Sequence, residues 1–256
     1  MQTNPMKAAV SRGEAQLGTW VNQFRDPAML LLLQAAGFDF ARVDMEHTGA
    51  SIETIEAMAL VARAIGFPIV VRPPKANREW ITRLLDIGVW NLHCPQVENA
   101  AHAREIVQAS RYAPMGLRGQ GGLGGATAFR KAPAADRRAN ANDQVFVTVM
   151  FETGRAFDDL DEIAAMPGID AMTLGPADLS QDLGVSGTPE ERATLDARRD
   201  AVVAAARRHG KTTAMLVNTA EEFRHWRDEG ALLLAYSNEV EIIHDAFAQI
   251  TARLRG

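Results

Sequence analysis

The chain has 256 residues, 47% hydrophobic and 23% charged, with a net charge of -5 and a sequence pI near 5.7. An acidic chain lacks the basic face that nucleic acids and anionic membranes require, so we expect neither as a partner. The single cysteine excludes an intramolecular disulfide framework. No apolar run approaches the roughly 18 residues of a membrane span, and residues 1–12 lack the apolar core of a signal peptide, which favours a cytoplasmic protein.

The first half of the chain alternates short apolar strands with helices. A short leading helix is predicted at residues 5–13. Asp26-Pro27 and Ser51 mark two later helix starts, because Asp and Ser favour the N-cap and proline the first helical position. The predicted strands are 17–21, 38–43, 69–72 and 89–94. The helices predicted after them are 28–36, 51–64, 77–85 and 98–110.

The alternation breaks at residues 111–129 and then resumes. This stretch holds six glycines and little apolar periodicity, and an irregular segment of this length is usually functional or mobile. The later strands are predicted at 145–151, 169–174, 212–217 and 231–236. The later helices are predicted at 134–142, 157–166, 189–209, 220–229 and 239–254.

Eight apolar strands alternating with helices indicate a parallel sheet covered by helices. Eight units in a chain of this length favour closure into a (β/α)8 TIM barrel, which typically needs about 250 residues. We therefore predict an α/β fold with residues 1–256 as a single domain. The sequence contains neither a G-x-G-x-x-G nor a G-K-[ST] motif, so a nucleotide-binding fold has no support.

In such a barrel the active groups sit at the carboxyl ends of the strands. In chain order these ends carry Trp20, Asp44, Glu46, His47, Arg72, His93, Cys94, Glu152, Asp178, Asn218, Ser237 and Asn238. Glu152 and Asp178 end successive strands, and a buried carboxylate is costly without a cation. Ligation by carboxylate oxygens favours Mg²⁺ or Mn²⁺, so the sequence predicts a divalent-metal site there.

Five of these residues also have an ordinary structural explanation. Asp178 alone could cap a helix, Arg72 could form a structural ion pair, and His47 could bond a loop carbonyl. Trp20 could serve packing rather than substrate. Cys94 is best explained as a small buried hydrophobic residue rather than a soft metal ligand. In the loop at 111–129, Arg118 is either an anion-binding candidate or a solvated side chain.

Seven short motifs occur in an order that resembles the HpcH/HpaI aldolases. They are Gly18-Thr19-Trp20, Val43-Asp44-Met45-Glu46-His47, Val71-Arg72-Pro73, Arg83-Leu84-Leu85-Asp86-Ile87-Gly88, the segment from Arg111 to Gly119, Phe151-Glu152-Thr153 and Gly175-Pro176-Ala177-Asp178-Leu179-Ser180. These relatives are metal-dependent class II pyruvate aldolases and include 4-hydroxy-2-oxoheptanedioate aldolase. The resemblance implies a lyase that reversibly cleaves a 4-hydroxy-2-oxo acid to pyruvate and an aldehyde through a metal-stabilised enolate.

The resemblance also implies a role for individual residues. Glu152 and Asp178 match the metal ligands, and Mg²⁺ or Mn²⁺, with Co²⁺ as a further candidate, is implied without an organic cofactor. Arg72 matches the residue that polarises the keto oxygen, Ala177 lies in the turn whose amides hold the pyruvate carboxylate, and Trp20 is a candidate substrate wall. His47 matches the general base.

Asp86 matches the acid that raises the basicity of this histidine, but its position in the chain is awkward. It ends a helix and precedes a strand, which places it at the opposite rim of its own barrel. Either the helix is displaced or Asp86 serves a neighbouring subunit. Asp44, three residues before His47, is the nearer candidate partner within one chain.

One residue departs from the family pattern. Met150 occupies the place of a glutamine that touches substrate in many relatives, and methionine cannot donate an amide hydrogen bond. A citryl- or malyl-CoA type lyase and a non-catalytic metabolite-binding barrel remain alternatives. The family is typically oligomeric, often hexameric, and the apolar last helix could pack on a neighbour or on its own barrel.

Overall fold

A computed structural model describes residues 3–256 as a closed barrel of eight parallel strands in sequence order. The strands are β1 (Gln16–Val21), β2 (Phe40–Asp44), β3 (Ile69–Arg72), β4 (Asn91–Cys94), β5 (Phe146–Phe151), β6 (Ala171–Leu174), β7 (Thr212–Val217) and β8 (Leu233–Asn238). The pairing of β1 with β8 closes the barrel. The predicted TIM barrel is confirmed.

The helices lie outside the barrel, apart from the short first one. They are α1 (Pro5–Ser11), α2 (Ala28–Ala35), α3 (Ile52–Ile65), α4 (Arg78–Asp86), α5 (Ala100–Ser110), α6 (Ala134–Gln144), α7 (Leu160–Ala165), α8 (Pro176–Asp182), α9 (Glu191–Arg208), α10 (Ala220–Asp228) and α11 (Glu239–Arg255). The sequence prediction missed α8, because Gly175-Pro176 indicates a turn although proline also suits a first helical position. No helix within residues 3–256 is long and apolar enough to cross a membrane.

Two apolar layers hold the fold together. The larger one lies between strands and helices, where the strand faces of β2 and β5 pack with helices such as α3 and α5. The smaller one fills the amino-terminal half of the barrel interior with Phe40, Val70 and Phe146. Met6 of α1 is fully buried in this inner layer, so α1 closes the amino end of the barrel.

The strand register places the functional side chains. Asp44 at the end of β2 is directly opposite Arg72 at the end of β3. Phe151 of β5 is opposite Leu174 of β6, which brings Glu152 beside Gly175. The carboxyl ends of β2, β3, β5 and β6 therefore face one opening.

The loop at 111–129 is anchored at its start and near its end. Arg111 is buried, donates hydrogen bonds to the carbonyl oxygens of Asn142, Val145 and Gly168, and forms a 2.8 Å ion pair with Asp170. A Cβ added at Gly125 would lie 2.1 Å from the carbonyl oxygen of Ile87, so only glycine fits there. Close backbone packing thus requires glycine at Gly125 and also at Gly116, where a Cβ would lie 2.4 Å from the carbonyl oxygen of Arg111.

The last helix contacts the barrel mainly through its first turn. Glu239 is the one buried residue of α11 among those the structure describes, and its carboxylate accepts the backbone N–H groups of Asn22 and Phe24. Beyond that turn, Phe247, Ile250 and Leu254 are exposed. The apolar face of α11 is therefore left open.

Candidate active site

An arginine clamped by two acidic side chains forms the centre of the carboxyl-end opening. Arg72 donates to both oxygens of Asp44, with Nε–Oδ1 and Nη2–Oδ2 distances of 2.8 Å each. Its Nη1 lies 3.3 Å from Oε2 of Glu46. A bidentate pair fixes the plane of the guanidinium group, so the register of β2 and β3 presets the direction of Arg72.

Asp44 is kept ionised by its surroundings. Burial by itself would raise the pKa of Asp44, but the hydrogen bonds and charge of Arg72 outweigh burial, and the backbone N–H groups of Glu46 and His47 add to them. The net result is a pKa below the ordinary value. Asp44 thus remains a full counter-charge for Arg72.

Glu46 connects Arg72 to two further side chains. Its Oε2 lies 3.6 Å from Nε2 of His47, and its Oε1 accepts a 2.8 Å hydrogen bond from Nε2 of Gln96. The Glu46 side chain is 6% exposed, and burial raises its pKa. The His47 imidazole is 56% exposed and faces the opening.

Glu152 and Asp178 form the opposite, acidic side of the opening. Glu152 is 2% exposed and accepts a hydrogen bond from the backbone N–H of Gln96. Burial, together with the negative charges of Glu46 and Asp178, raises the pKa of Glu152 to about 7. Asp178 is exposed in the first turn of α8, where no side chain caps the helix.

These residues fit a divalent cation as a pair of oxygen ligands. A buried carboxylate with a raised pKa is destabilised when ionised, and a bound cation would remove that cost. Across residues 3–256 no group of three or more His, Cys, Asp or Glu side chains could hold a metal. The remaining ligands would therefore come from substrate and water, a common arrangement for Mg²⁺.

Gly175, directly after β6, must be a glycine because its backbone lies against the Glu152 side chain. A Cβ at this position would lie 2.4 Å from Oε2 and 2.8 Å from Cβ of Glu152. Contacts that short do not occur without displacement of one partner. The glycine of the Gly175-Pro176 turn therefore sets the room available to the Glu152 carboxylate.

Trp20 lies between the opening and the barrel interior. The guanidinium carbon of Arg72 is 4.7 Å from its ring centre and that of Arg42 is 5.0 Å away. His93 meets the same ring edge-on at 5.6 Å. Trp20 is half-buried, so its ring packs against these side chains while part of it stays exposed.

Arg42 and His93 form a buried polar floor beneath Trp20. Arg42 is 2% exposed, and burial with the charge of Arg72 lowers its pKa to about 9. His93 is fully buried, and burial lowers its pKa well below the ordinary value, so the ring is neutral. Cys94 is buried and its pKa is raised to about 12 by burial, in agreement with its prediction as a small hydrophobic residue.

One predicted relationship differs from the structure. Asp44 contacts His47 only through the backbone N–H, at 3.3 Å, and the carboxylate nearest the imidazole is Glu46. Asp44 is committed to Arg72, so its predicted pairing with the imidazole is wrong. Asp86 ends α4, and its Oδ1 lies 2.8 Å from Nη2 of Arg118 rather than near His47 of its own chain, in line with its position between a helix and a strand.

Sequence reasoning gave no role to three residues of this network. Glu46 lies beside Asp44 and His47, and its proximity to both was the available signal. Gln96 follows Pro95 with a backbone φ of 50°, which turns its side chain toward Glu46 and its N–H toward Glu152. Arg42 carries no local signal, because an arginine within a strand is as easily expected outside the barrel.

Comparison with known proteins agrees with this geometry. A family model described as HpcH/HpaI aldolase/citrate lyase matches residues 16–245. The chain is 36% identical to a hydroxypyruvate/pyruvate aldolase of Roseovarius nubinhibens, over 99% of this chain and 97% of that protein. It is 34% identical to a 4-hydroxy-2-oxo-heptane-1,7-dioate aldolase of Escherichia coli, over 98% of this chain and 94% of that protein.

A solved structure extends the agreement to the fold. The HpcH/HpaI aldolase from Desulfitobacterium hafniense DCB-2 superposes with a TM-score of 0.91 at 31% identity, covering 97% of this chain and 96% of that one. The chain belongs to the HpcH/HpaI aldolase/citrate lyase family and is an enzyme of the aldolase type, a lyase.

Proposed function

We propose that this enzyme reversibly cleaves a 4-hydroxy-2-oxo acid to pyruvate and an aldehyde with the help of a divalent cation. The observation that carries the proposal is the meeting of two groups at one end of the barrel. One is the Arg72 clamp on Asp44 and Glu46, and the other is the Glu152–Asp178 carboxylate pair. Both curated relatives described above are named as aldolases of 2-oxo acids. The CoA-ester lyase alternative gains no support from them.

Glu152 and Asp178 are the residues that would hold the cation. Mg²⁺ and Mn²⁺ suit this oxygen donor set, with Co²⁺ as a further candidate. When bound, the cation supplies Lewis-acid stabilisation of negative charge on the keto oxygen of the substrate. No organic cofactor is part of the proposal.

Arg72 would stabilise the same developing charge from the other side. A guanidinium group has five N–H donors, and Asp44 engages Nε and one hydrogen of Nη2. Nη1 also lies 3.3 Å from Oε2 of Glu46, so one hydrogen of Nη1 and one of Nη2 would be left for the substrate. Because Asp44 holds the group in place before substrate arrives, little reorganisation is needed during the reaction.

His47 would move the proton of the 4-hydroxyl group. Its imidazole is 56% exposed, and its Nε2 lies 3.6 Å from Oε2 of Glu46. Histidine titrates near neutral pH and suits general base catalysis. Asp86 forms an ion pair with Arg118 in its own chain. We therefore propose a role for Asp86 only in the site of a neighbouring subunit.

The backbone of α8 and two side chains would shape the pyruvate end. The first-turn amides near Ala177 have no side-chain cap and suit a carboxylate. Trp20 would form one wall of the pocket. Met150 is 7% exposed and lies beside Gly175, so an apolar sulfur takes the place where many relatives offer an amide.

A test that requires no knowledge of the aldehyde uses pyruvate in deuterated water. We expect the methyl protons of pyruvate to exchange in the presence of Mg²⁺ or Mn²⁺, followed by proton NMR, and to stop exchanging when EDTA is added. Exchange requires formation of an enolate, so it reports the central step alone. Absence of exchange with each of these metals would overturn the proposal.

We also propose a homo-oligomer of up to six subunits. Phe247, Ile250 and Leu254 of α11 and Leu31 and Leu32 of α2 are exposed in the single chain, and apolar patches of this kind mark interaction sites. Light scattering after gel filtration would measure the mass against 27.8 kDa for one chain. A monomeric mass at micromolar concentration would reject the oligomer.

A further inference from the structure

Arg42 lies inside the barrel, one layer below the opening. Alternate residues of a strand point to the same side, so Phe40, Arg42 and Asp44 of β2 all point inward. Phe40 belongs to the inner apolar layer, and Asp44 lies at the opening beside Arg72. Arg42 therefore occupies the layer between them, about 6–7 Å below Asp44 along the strand.

No acidic side chain within residues 3–256 compensates the charge of Arg42. Its Nε and Nη2 are buried and have no hydrogen-bond partner in this part of the chain. Among the same residues, the charged group that acts on it is Arg72, a second cation. His93 and Thr148, paired with each other on β4 and β5, are buried with unpartnered polar atoms of their own. Both are uncharged, so they leave the charge of Arg42 in place.

The two arginines share the ring of Trp20. The guanidinium carbon of Arg42 is 5.0 Å from the ring centre and that of Arg72 is 4.7 Å from it. The two charges are therefore at most the sum of these distances apart. Asp44 is engaged by Arg72 through two hydrogen bonds. The charge of Arg42 thus stays uncompensated directly beneath the opening.

Packing alone does not explain a charge at this position. Replacing a buried ion by an apolar residue of similar volume is often neutral or stabilising. Stacking on an aromatic ring recovers only part of the cost of burying a cation. A methionine in place of Arg42 would fill the same space without that cost, so the observation to explain is the charge itself.

We propose that Arg42 is a positioning residue for the aldolase reaction, and that its charge stabilises the extra negative charge of the enolate from below. The inference rests on the proposed function, because the enolate is the state that it stabilises. Arg42 is 2% exposed and so acts through its charge rather than by contact with substrate. Coulomb attraction across about 10 Å, at an effective dielectric constant of about 20, favours the enolate roughly tenfold.

The test compares two ligands that differ by one negative charge. Oxalate is a planar dianion whose second charge lies where the enolate oxygen of pyruvate would form, whereas pyruvate carries a single charge. Each is titrated calorimetrically into the full-length protein with excess Mn²⁺. The variants are Arg42→Met, which removes the charge, and Arg42→Lys, which keeps it. The control is Arg199→Met in α9, where the guanidinium carbon is 5.7 Å from the centre of the Trp226 ring.

We expect Arg42→Met to weaken oxalate binding about tenfold more than pyruvate binding and to slow metal-dependent pyruvate exchange about tenfold. Its melting temperature in EDTA should rise by at least about 2 °C, because an unpaired buried charge is gone. Arg42→Lys should keep the preference for oxalate within about threefold of the natural protein, since the charge remains. Arg199→Met should leave both affinities and the exchange rate unchanged.

Equal effects of Arg42→Met on oxalate and pyruvate, including no effect, would overturn the inference. A lower melting temperature of this variant would assign Arg42 a structural role and overturn it as well. So would loss of the preference for oxalate in Arg42→Lys, or the same selective loss in Arg199→Met. Failure of the proposed function would look different, because the natural protein itself would then show neither pyruvate exchange nor metal-dependent oxalate binding.

Discussion

Replacing Glu152 by glutamine should stabilise the metal-free protein while removing its affinity for metal. Glutamine has nearly the same shape and can still accept the N–H of Gln96 through its carbonyl oxygen. It lacks the negative charge that burial and the charges of Glu46 and Asp178 disfavour. The carboxylate is therefore a cost to the folded state whenever it is ionised without a cation.

The size of this cost follows from the pKa. A rise from 4.5 to about 7 corresponds to roughly 3 kcal/mol between the protonated and ionised forms, at about 1.4 kcal/mol per pH unit. The folded pKa is above the unfolded value, so the stability contributed by this group is complete below pH 4.5. It is lost as the pH rises to about 7. Relaxation of the site lowers the expected loss to about 2 kcal/mol.

The assay is thermal unfolding of the natural protein and Glu152→Gln in EDTA at pH 5 and pH 8. At pH 5 the variant should melt only about 1–2 °C higher, because about a quarter of the loss is present there, and at pH 8 it should melt about 4–8 °C higher. Excess Mn²⁺ at pH 8 should reverse the order, because binding stabilises only the protein with the ligand. Glu105→Gln, at an exposed position of α5, controls for general charge removal. A gap of the same size at both pH values, or a less stable variant at pH 8, would refute the reasoning.

Three further substitutions test single features of the site. Arg72→Lys cannot make the bidentate bond to Asp44. It should slow metal-dependent pyruvate exchange by about 10²–10³-fold but retain Mn²⁺ affinity in calorimetry. An unchanged exchange rate would remove Arg72 from the mechanism. Asp178→Ala should lose Mn²⁺ binding but keep the melting temperature measured in EDTA, and unchanged affinity would reject this ligand. Gly175→Ala should push Glu152 aside, which weakens Mn²⁺ binding and lowers the free energy of unfolding in urea by about 1–3 kcal/mol. The control is Gly119→Ala, which should have little effect because nothing lies within 4 Å of the added carbon.

The fold was predictable because its signals are local and repeated. Short apolar strands such as β3 (Ile69–Arg72) are buried on both faces, and each is followed by a helix with a clear start, as at Ser51 and Asn77. Eight such units in one chain indicate closure. The missed α8 shows where local sequence signals are insufficient. Gly-Pro is typical both of a turn and of a helix start, and only the barrel geometry selects between them.

The predicted site residues mostly meet because the carboxyl ends of parallel strands converge. Asp44, His47, Arg72 and Glu152 all come to one opening, and α8 brings Asp178 to it. Which acid pairs with which base could not be derived, because that depends on register and on the direction of side chains after the strand ends. Asp44 was the nearer choice for His47 in sequence, but the alignment of β2 with β3 gives it to Arg72 and leaves Glu46 beside the imidazole.

The barrel interior explains why this site tolerates so much charge. Its amino half is apolar, with Phe40, Phe146 and Met6 fully or almost fully buried, and this inner layer adds to the larger apolar layer between strands and helices. Above that layer lie Arg42 and His93, and above them the Arg72 clamp. Arg42 is buried without a carboxylate partner, which destabilises the fold. Its positive charge nevertheless lies below the opening where an enolate would carry negative charge. Burial of the apolar half thus offsets the cost of the charged half, and Met6 of α1 is part of that apolar layer.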